Sequence, residues 1–114
     1  MLRQFTTDFD FQDERGTIVQ LVHEGYRQVN VITTQKGVMR GGHYHKQNKE
    51  AFYIISGSLT IEVNGEKTDF GAGDFFGIDA NDMHSFYFLE DTLLVSMYSN
   101  GVELADGSKD IFTE

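Results

Sequence analysis

The sequence predicts an all-β protein, a small antiparallel barrel or jelly roll, and three observations carry that prediction. Short apolar runs rich in Val, Ile, Phe, Tyr and Thr recur at close spacing, each bounded by Gly, Asn or Asp. These runs are too short for helices and lack helical periodicity. The dipeptide Asn64-Gly65 suits the positive φ angles of a two-residue turn between two such runs. Many short strands joined by tight turns bury their apolar faces by closing up or by stacking as two sheets.

Taken in order, the opening ten residues suit either a short helix or an extra edge strand. "GTIVQLV" and "RQVNVIT" read as strands. The segment "GVMRGGHYHKQNKEAF", Gly37 to Phe52, follows and ends in the strand "AFYIIS". "SLTIEV" turns at Asn64-Gly65 into a strand near residues 66–70, and "DFFGI", "HSFYFL" and "TLLVSMY" complete the series. Strand parity puts Phe52 and Ile54 on the face of Glu50, and Phe86 and Phe88 on the face of His84, as core residues. "TLLVSMY" is apolar on both faces, so it is either covered on both sides or part of a dimer interface. No repeat or linker interrupts the 114 residues, so residues 1–114 are expected to form one domain.

Composition removes several classes of function. The net charge is −9, from 18 acidic against 9 basic residues, which repels phosphate backbones and excludes nucleic acid as the expected partner. The chain has no Cys, so a metal has to be held by His, Asp or Glu. No apolar run approaches a membrane span, and "MLRQFTTDFDF" lacks an apolar core flanked by positive charge. No membrane association and a cytoplasmic location are therefore expected. Arg40, Lys46 and Lys49 concentrate the scarce positive charge around one stretch, "HYH". Solvated lysines in a turn account for Lys46 and Lys49 as well as a functional role does.

That stretch holds two of the chain's four histidines. On a strand, His43 and His45 project to the same side while Tyr44 points away, so the two imidazoles can share a ligand. Glu50 follows a polar turn, "KQNK", and a return of the chain brings its carboxylate back beside the pair. His84 follows the turn "DANDM" and opens another strand. An isolated His-x-His is more often a polar surface pair, and a single strand-end histidine more often a satisfied edge residue. Together with Glu50 they fit a centre of three imidazoles and one carboxylate with open positions. Such donors accept Zn, Fe, Mn or Ni, so the divalent metal stays unnamed. His23 fits no such grouping and is expected on the surface.

The spacing Gly37, five residues, His43-x-His45, four residues, Glu50, six residues, Gly57 resembles the first motif of the cupins. In the second motif Gly73 and His84 match, while Asp79, Asn81 and Phe88 stand where proline, glycine and asparagine are usual. Asn81 can take the left-handed conformation that glycine would supply. The resemblance covers about residues 27–98. It implies a small jelly-roll barrel in which His43, His45, Glu50 and His84 bind a divalent metal, and it implies a homodimer.

The flanks are similar to cupins that act on nucleotide-activated sugars. The deoxysugar 3,5-epimerases and 3,4-ketoisomerases share D-x-R-G, a Q-x-N-like strand and R-G-x-H. Here these are Asp13, Arg15 and Gly16, then Gln28 and Asn30, then Arg40, Gly41 and His43. The resemblance implies that Arg40 contacts a diphosphate and that the motif's histidine acts as base. It also implies that Arg15 reaches a neighbouring subunit's site. Two departures matter. The 3,5-epimerases lack a histidine at the position of His45 and run without metal, and the ketoisomerases have glutamine where Glu50 stands. The pattern is most similar to the zinc-binding cupin domain of a bifunctional capsule enzyme that epimerises a UDP-2-acetamido-4-keto sugar, down to the tail "DGSKDIFTE". If a metal takes His43 and His45, neither is a free base. Gln28, Asn30, Tyr87 and Tyr98 are then the candidate proton carriers, with Tyr87 disfavoured because it faces away from His84.

Three functions follow as expectations. The first is an epimerase or isomerase of a 4-keto nucleotide sugar in surface-polysaccharide synthesis. Its chemistry needs a base near neutral pKa, such as His43 or His45, and a group that holds the enolate oxygen. The second is a metal-dependent oxygenase or lyase of a small acid. The third is a non-catalytic module that binds a sugar or a metal.

Overall fold

The computed structural model describes residues 1–113, and no helix forms among them. The strands are β1 (Arg3–Phe5), β2 (Phe9–Asp13), β3 (Gly16–Gln20), β4 (Gln28–Thr34), β5 (Met39–His43) and β6 (Glu50–Ser56). They continue as β7 (Ser58–Val63), β8 (Glu66–Gly71), β9 (Phe75–Ile78), β10 (His84–Phe88) and β11 (Thr92–Tyr98). A five-stranded sheet runs β1-β9-β6-β11-β4 and a four-stranded sheet runs β5-β10-β7-β8, while β2 and β3 form a separate hairpin. Strand pairing is antiparallel in both sheets and in the hairpin. The opening residues are thus an edge strand, one of the two expected forms. Asn64 and Gly65 turn β7 into β8 with φ of 50° and 88°, the positive pair a tight hairpin requires.

The two sheets share one apolar core, as a jelly roll does. Phe52, Ile54, Phe76, Ile78 and Leu94 come from the larger sheet, and Leu59, Ile61, Val63, Phe70, Phe86 and Phe88 from the smaller. Side-chain alternation explains the selection: along β7, Leu59, Ile61 and Val63 are buried, and Ser58, Thr60 and Glu62 are not. Phe76 is fully buried between Phe70 and Phe52, with ring centroids 4.2 Å and 5.3 Å away. A second cluster lies on the outer face of the larger sheet. There Leu21, Val22 and Tyr26 pack on Ala51, Phe75 and Met97. Met97 of "TLLVSMY" is therefore covered by the chain itself, while Leu93 and Val95 stay half-buried.

Strand β4 reverses what its composition suggests. Gln28, Asn30 and Ile32 are half-buried and Thr34 is buried, whereas Val29 and Val31 are 59% and 69% exposed. The strand turns its polar face inward and its valines outward. No helix among the described residues is long and apolar enough to cross a membrane.

Candidate metal centre

One end of the jelly roll gathers the histidines. His43 closes β5 and His84 opens β10, and the two are register partners. A bulge makes this register work. Ser85 pairs with Gly41 and His84 with His43, so Gly42 is the extra residue. Gly41 and Gly42 have φ of 100° and 77°. A Cβ on Gly41 would meet the His84 carbonyl oxygen at 2.8 Å, so only glycine lets the strands approach here. His45 lies just past β5 on the same side as His43, while Tyr44 turns away and stacks on Phe112 at 5.6 Å.

Ligand-type nitrogens of His43, His45 and His84 lie within 4.8 Å of one another. Glu50, first residue of β6, brings Oε1 to 3.3 Å from His45 Nε2 and 3.7 Å from His84 Nε2. His45 and His84 are each 1% exposed, and His43 is half-buried. The other ring nitrogens are committed. His45 Nδ1 is 2.6 Å from the Asp110 carbonyl oxygen and His84 Nδ1 is 3.0 Å from that of Asp82. A carbonyl only accepts, so each Nδ1 carries a proton, and each ring in its neutral form presents the Nε2 lone pair to the cluster. Ser96 Oγ donates to Glu50 Oε2 at 2.8 Å and holds the carboxylate. His45 Nε2 and Glu50 Oε1 are buried without a hydrogen-bond partner. Buried acceptors left unpaired and converging on one point are what a divalent cation satisfies, so these donors fit a metal.

The electrostatics agree with neutral, ligand-ready imidazoles at two positions. Burial, helped by His84 and His45, pushes His43 down to about 4. Burial also lowers His84, against the Asp82 carbonyl and Glu50. At His45 burial opposes protonation too, but the Glu50 carboxylate and the Asp110 carbonyl outweigh it and move the imidazole upward. Tyr98, whose ring lies 5.2 Å from that of His45, is raised by burial and by the Glu50 charge, so its phenol stays protonated.

The other sequence candidates divide. Asn30 is a register partner of Ser96, on the inward face beside the site. Gln28 also faces inward, but its Oε1 accepts from Val102 N at 2.8 Å and ties down the C-terminal segment. Arg40 crosses between the sheets, donating from Nε to Thr34 Oγ1 at 2.8 Å and from Nη2 to the Thr33 carbonyl at 3.4 Å. It links β5 to β4, two edge strands with no ladder between them. Arg15 sits in the turn of the β2–β3 hairpin, its backbone N and Nε both donating to Asp13 at 2.9 Å. The hairpin belongs to neither sheet. Tyr87 faces out, as parity predicts, and His23 is exposed. Asn81 has φ of 71°, the left-handed form expected in place of glycine. Ser96, Asn48 and Asp110 escaped the sequence reading. All three are buried polar residues, but neither periodicity nor local spacing marks them.

A family model described as "Cupin domain" matches residues 30–99. The chain belongs to the cupin family. Over 70 residues this cupin is 34% identical to UDP-2-acetamido-2,6-beta-L-arabino-hexul-4-ose reductase of Pseudomonas aeruginosa, covering 60% of this chain and 18% of that protein. Over 44 residues it is 36% identical to quercetin 2,3-dioxygenase of Bacillus subtilis, covering 39% of this chain and 13% of that protein. The matches thus span under a fifth of either curated relative. Among solved structures, a 3,4-ketoisomerase from Helicobacter canadensis aligns with TM-score 0.82 at 17% identity, over 99% of this chain and 90% of that one. A TDP-quinovose 3,4-ketoisomerase from Campylobacter jejuni aligns with TM-score 0.79 at 21% identity, over 96% and 92%. At these identities the likeness establishes the shared fold.

Proposed function

We propose that this cupin binds a divalent metal through His43, His45, His84 and Glu50 and acts as an epimerase or isomerase of a 4-keto nucleotide sugar. The observation that carries the metal reading is the buried, unpaired approach of His45 Nε2 and Glu50 Oε1 beside two further imidazoles. The sugar reading is supported by the 70-residue similarity to a UDP-sugar reductase and by a polar inner face on β4.

Bound there, the metal would supply Lewis-acid stabilisation of the oxyanion that develops when a proton leaves the carbon next to a ketone. The chain's own residues do the rest. Arg40, at the seam between β4 and β5, takes the diphosphate by exchanging its bonds to Thr34 and Thr33 for charged oxygens. Asn30 orients the sugar from the inward face of β4. Tyr98, held as a protonated phenol, donates a hydrogen bond and does not serve as the base. His43 is the least buried imidazole of the cluster and is neutral at pH 7. It is the third imidazole ligand in the metal-bound reading, where the proton would pass to a water molecule at the open positions of the site, and it is the base itself in a metal-free one. Arg15 acts only by reaching a second subunit, so this role requires the homodimer. Exposed Phe9, Phe11 and Ile18 on the hairpin, with Val29 and Val31 on β4, support such pairing. Residues 1–114 act as one cytoplasmic unit in this reading.

Deuterium wash-in tests the activity: a UDP- or TDP-4-keto sugar incubated with metal-loaded protein in D2O gains deuterium beside the ketone, and Arg40→Ala abolishes the gain. No exchange with any such sugar contradicts it. The 44-residue similarity to quercetin 2,3-dioxygenase favours a second reading, a metal-dependent oxygenase or lyase of a small acid, which nucleotides would not affect.

A further inference from the structure

Beyond β11 the chain folds back onto the loop between His43 and Glu50. Phe112 and Tyr44 exchange backbone hydrogen bonds of 2.9 Å and 3.0 Å. Asp110, 1% exposed, accepts from Lys46 N at Oδ1 and from Gln47 N and Asn48 Nδ2 at Oδ2, each at 2.8 Å. Asn48, equally buried, accepts at Oδ1 from the N–H groups of Asn100 and Gly101 and donates to the Gly101 carbonyl, each at 2.9 Å. Two buried polar side chains thus fasten residues 100–112 to the ligand loop, and the Asp110 carbonyl accepts a hydrogen bond from His45 Nδ1–H.

The two imidazoles behind Glu50 are oriented differently. The acceptor for His84 is Asp82, two residues away in the same turn. The acceptor for His45 Nδ1 is 65 residues away, so no hydrogen bond within its own turn sets that ring. We propose that the C-terminal segment is a metal-linked clasp, in which Asp110 is the positioning residue that makes His45 a ligand, and in which metal binding and closure of the clasp strengthen each other. This rests on the metal reading above. A cation on Nε2 draws electron density from the imidazole and makes Nδ1–H a stronger donor, so the bond to Asp110 tightens in the loaded state. By linkage, whatever holds Asp110 in place raises the affinity for the ion by the same factor.

The test uses the full chain and Zn2+ alone. Zinc affinity is measured by competition with a chromophoric chelator for the wild type, Asp110→Asn and Leu94→Ala. Asp110→Asn keeps the backbone carbonyl but sets an amide N–H against the loop's N–H donors. Leu94→Ala, in the core away from the clasp, destabilises without touching it. The expected result is about 10- to 100-fold weaker zinc binding in Asp110→Asn. Leu94→Ala should lower Tm with zinc affinity unchanged. In the wild type, zinc should also slow hydrogen exchange at the Lys46 and Gln47 amides, a measurement that decides the matter if Asp110→Asn does not fold. The inference is overturned if Asp110→Asn binds zinc as the wild type does, if both variants lose affinity in step with Tm, or if zinc leaves those amides unaffected. A wild type that binds none of Zn2+, Fe2+, Mn2+ and Ni2+ overturns the metal reading itself and the clasp with it.

Discussion

His45 and Glu50 face each other at the end of the jelly roll, Nε2 to Oε1 at 3.3 Å, and neither atom has a hydrogen-bond partner. A protein that kept these groups only for its fold would gain by pairing them or replacing them with apolar side chains. Glu50→Gln is therefore expected to leave the metal-free protein as stable as the wild type, or more stable. It should also shrink the rise in Tm that Zn2+ produces. Calorimetry with EDTA and with Zn2+ checks both signs. A large loss of stability in EDTA would mean that the carboxylate serves the fold.

Core and surface should separate cleanly. Phe76→Ala removes a fully buried ring stacked on Phe70 and Phe52 and is expected to cost about 3–5 kcal/mol by urea unfolding. Val31→Asp, on the outer face of β4, should change the monomer's own stability by roughly 0.5 kcal/mol or less. If the outer face of β4 pairs with a second copy, light scattering should show that Val31→Asp halves the mass in solution.

Arg40→Ala removes the charge that spans the seam between the sheets. The thermal shift produced by UDP or TDP should disappear while metal content stays at the wild-type level. A shift that survives the substitution would move the diphosphate elsewhere.

The parts of this architecture set by neighbours in sequence were legible before the structure. Asn64-Gly65 fixes its hairpin locally, and the spacing of His43, His45 and Glu50 places all three at one strand end and one strand start. The parts set by distant contacts were not. Asp110 acts on residues more than sixty positions away, and Ser96 reaches Glu50 across 46. The inward face of β4 was legible only through the match of Gln28 and Asn30 to the sugar-cupin pattern, and not from hydrophobicity. Alternation along "QVNVIT" is clear, but hydrophobicity alone would bury Val29 and Val31, and the structure exposes them. The polar residues win that face at the end occupied by the histidines, where Gln28 binds the returning chain and Asn30 lies beside Ser96. Arg15 was legible as a turn residue.

The central claim is that three imidazoles and one carboxylate hold one ion. Its most direct test is the metal content of protein purified without a His tag, measured by inductively coupled plasma mass spectrometry beside a His43→Ala/His45→Ala variant. Close to one equivalent of a first-row metal is expected in the wild type and essentially none in the variant. A wild type that stays metal-free after soaking in Zn2+, Fe2+, Mn2+ and Ni2+ would contradict it, and would leave His43 and His45 as acid–base groups of a metal-free sugar isomerase.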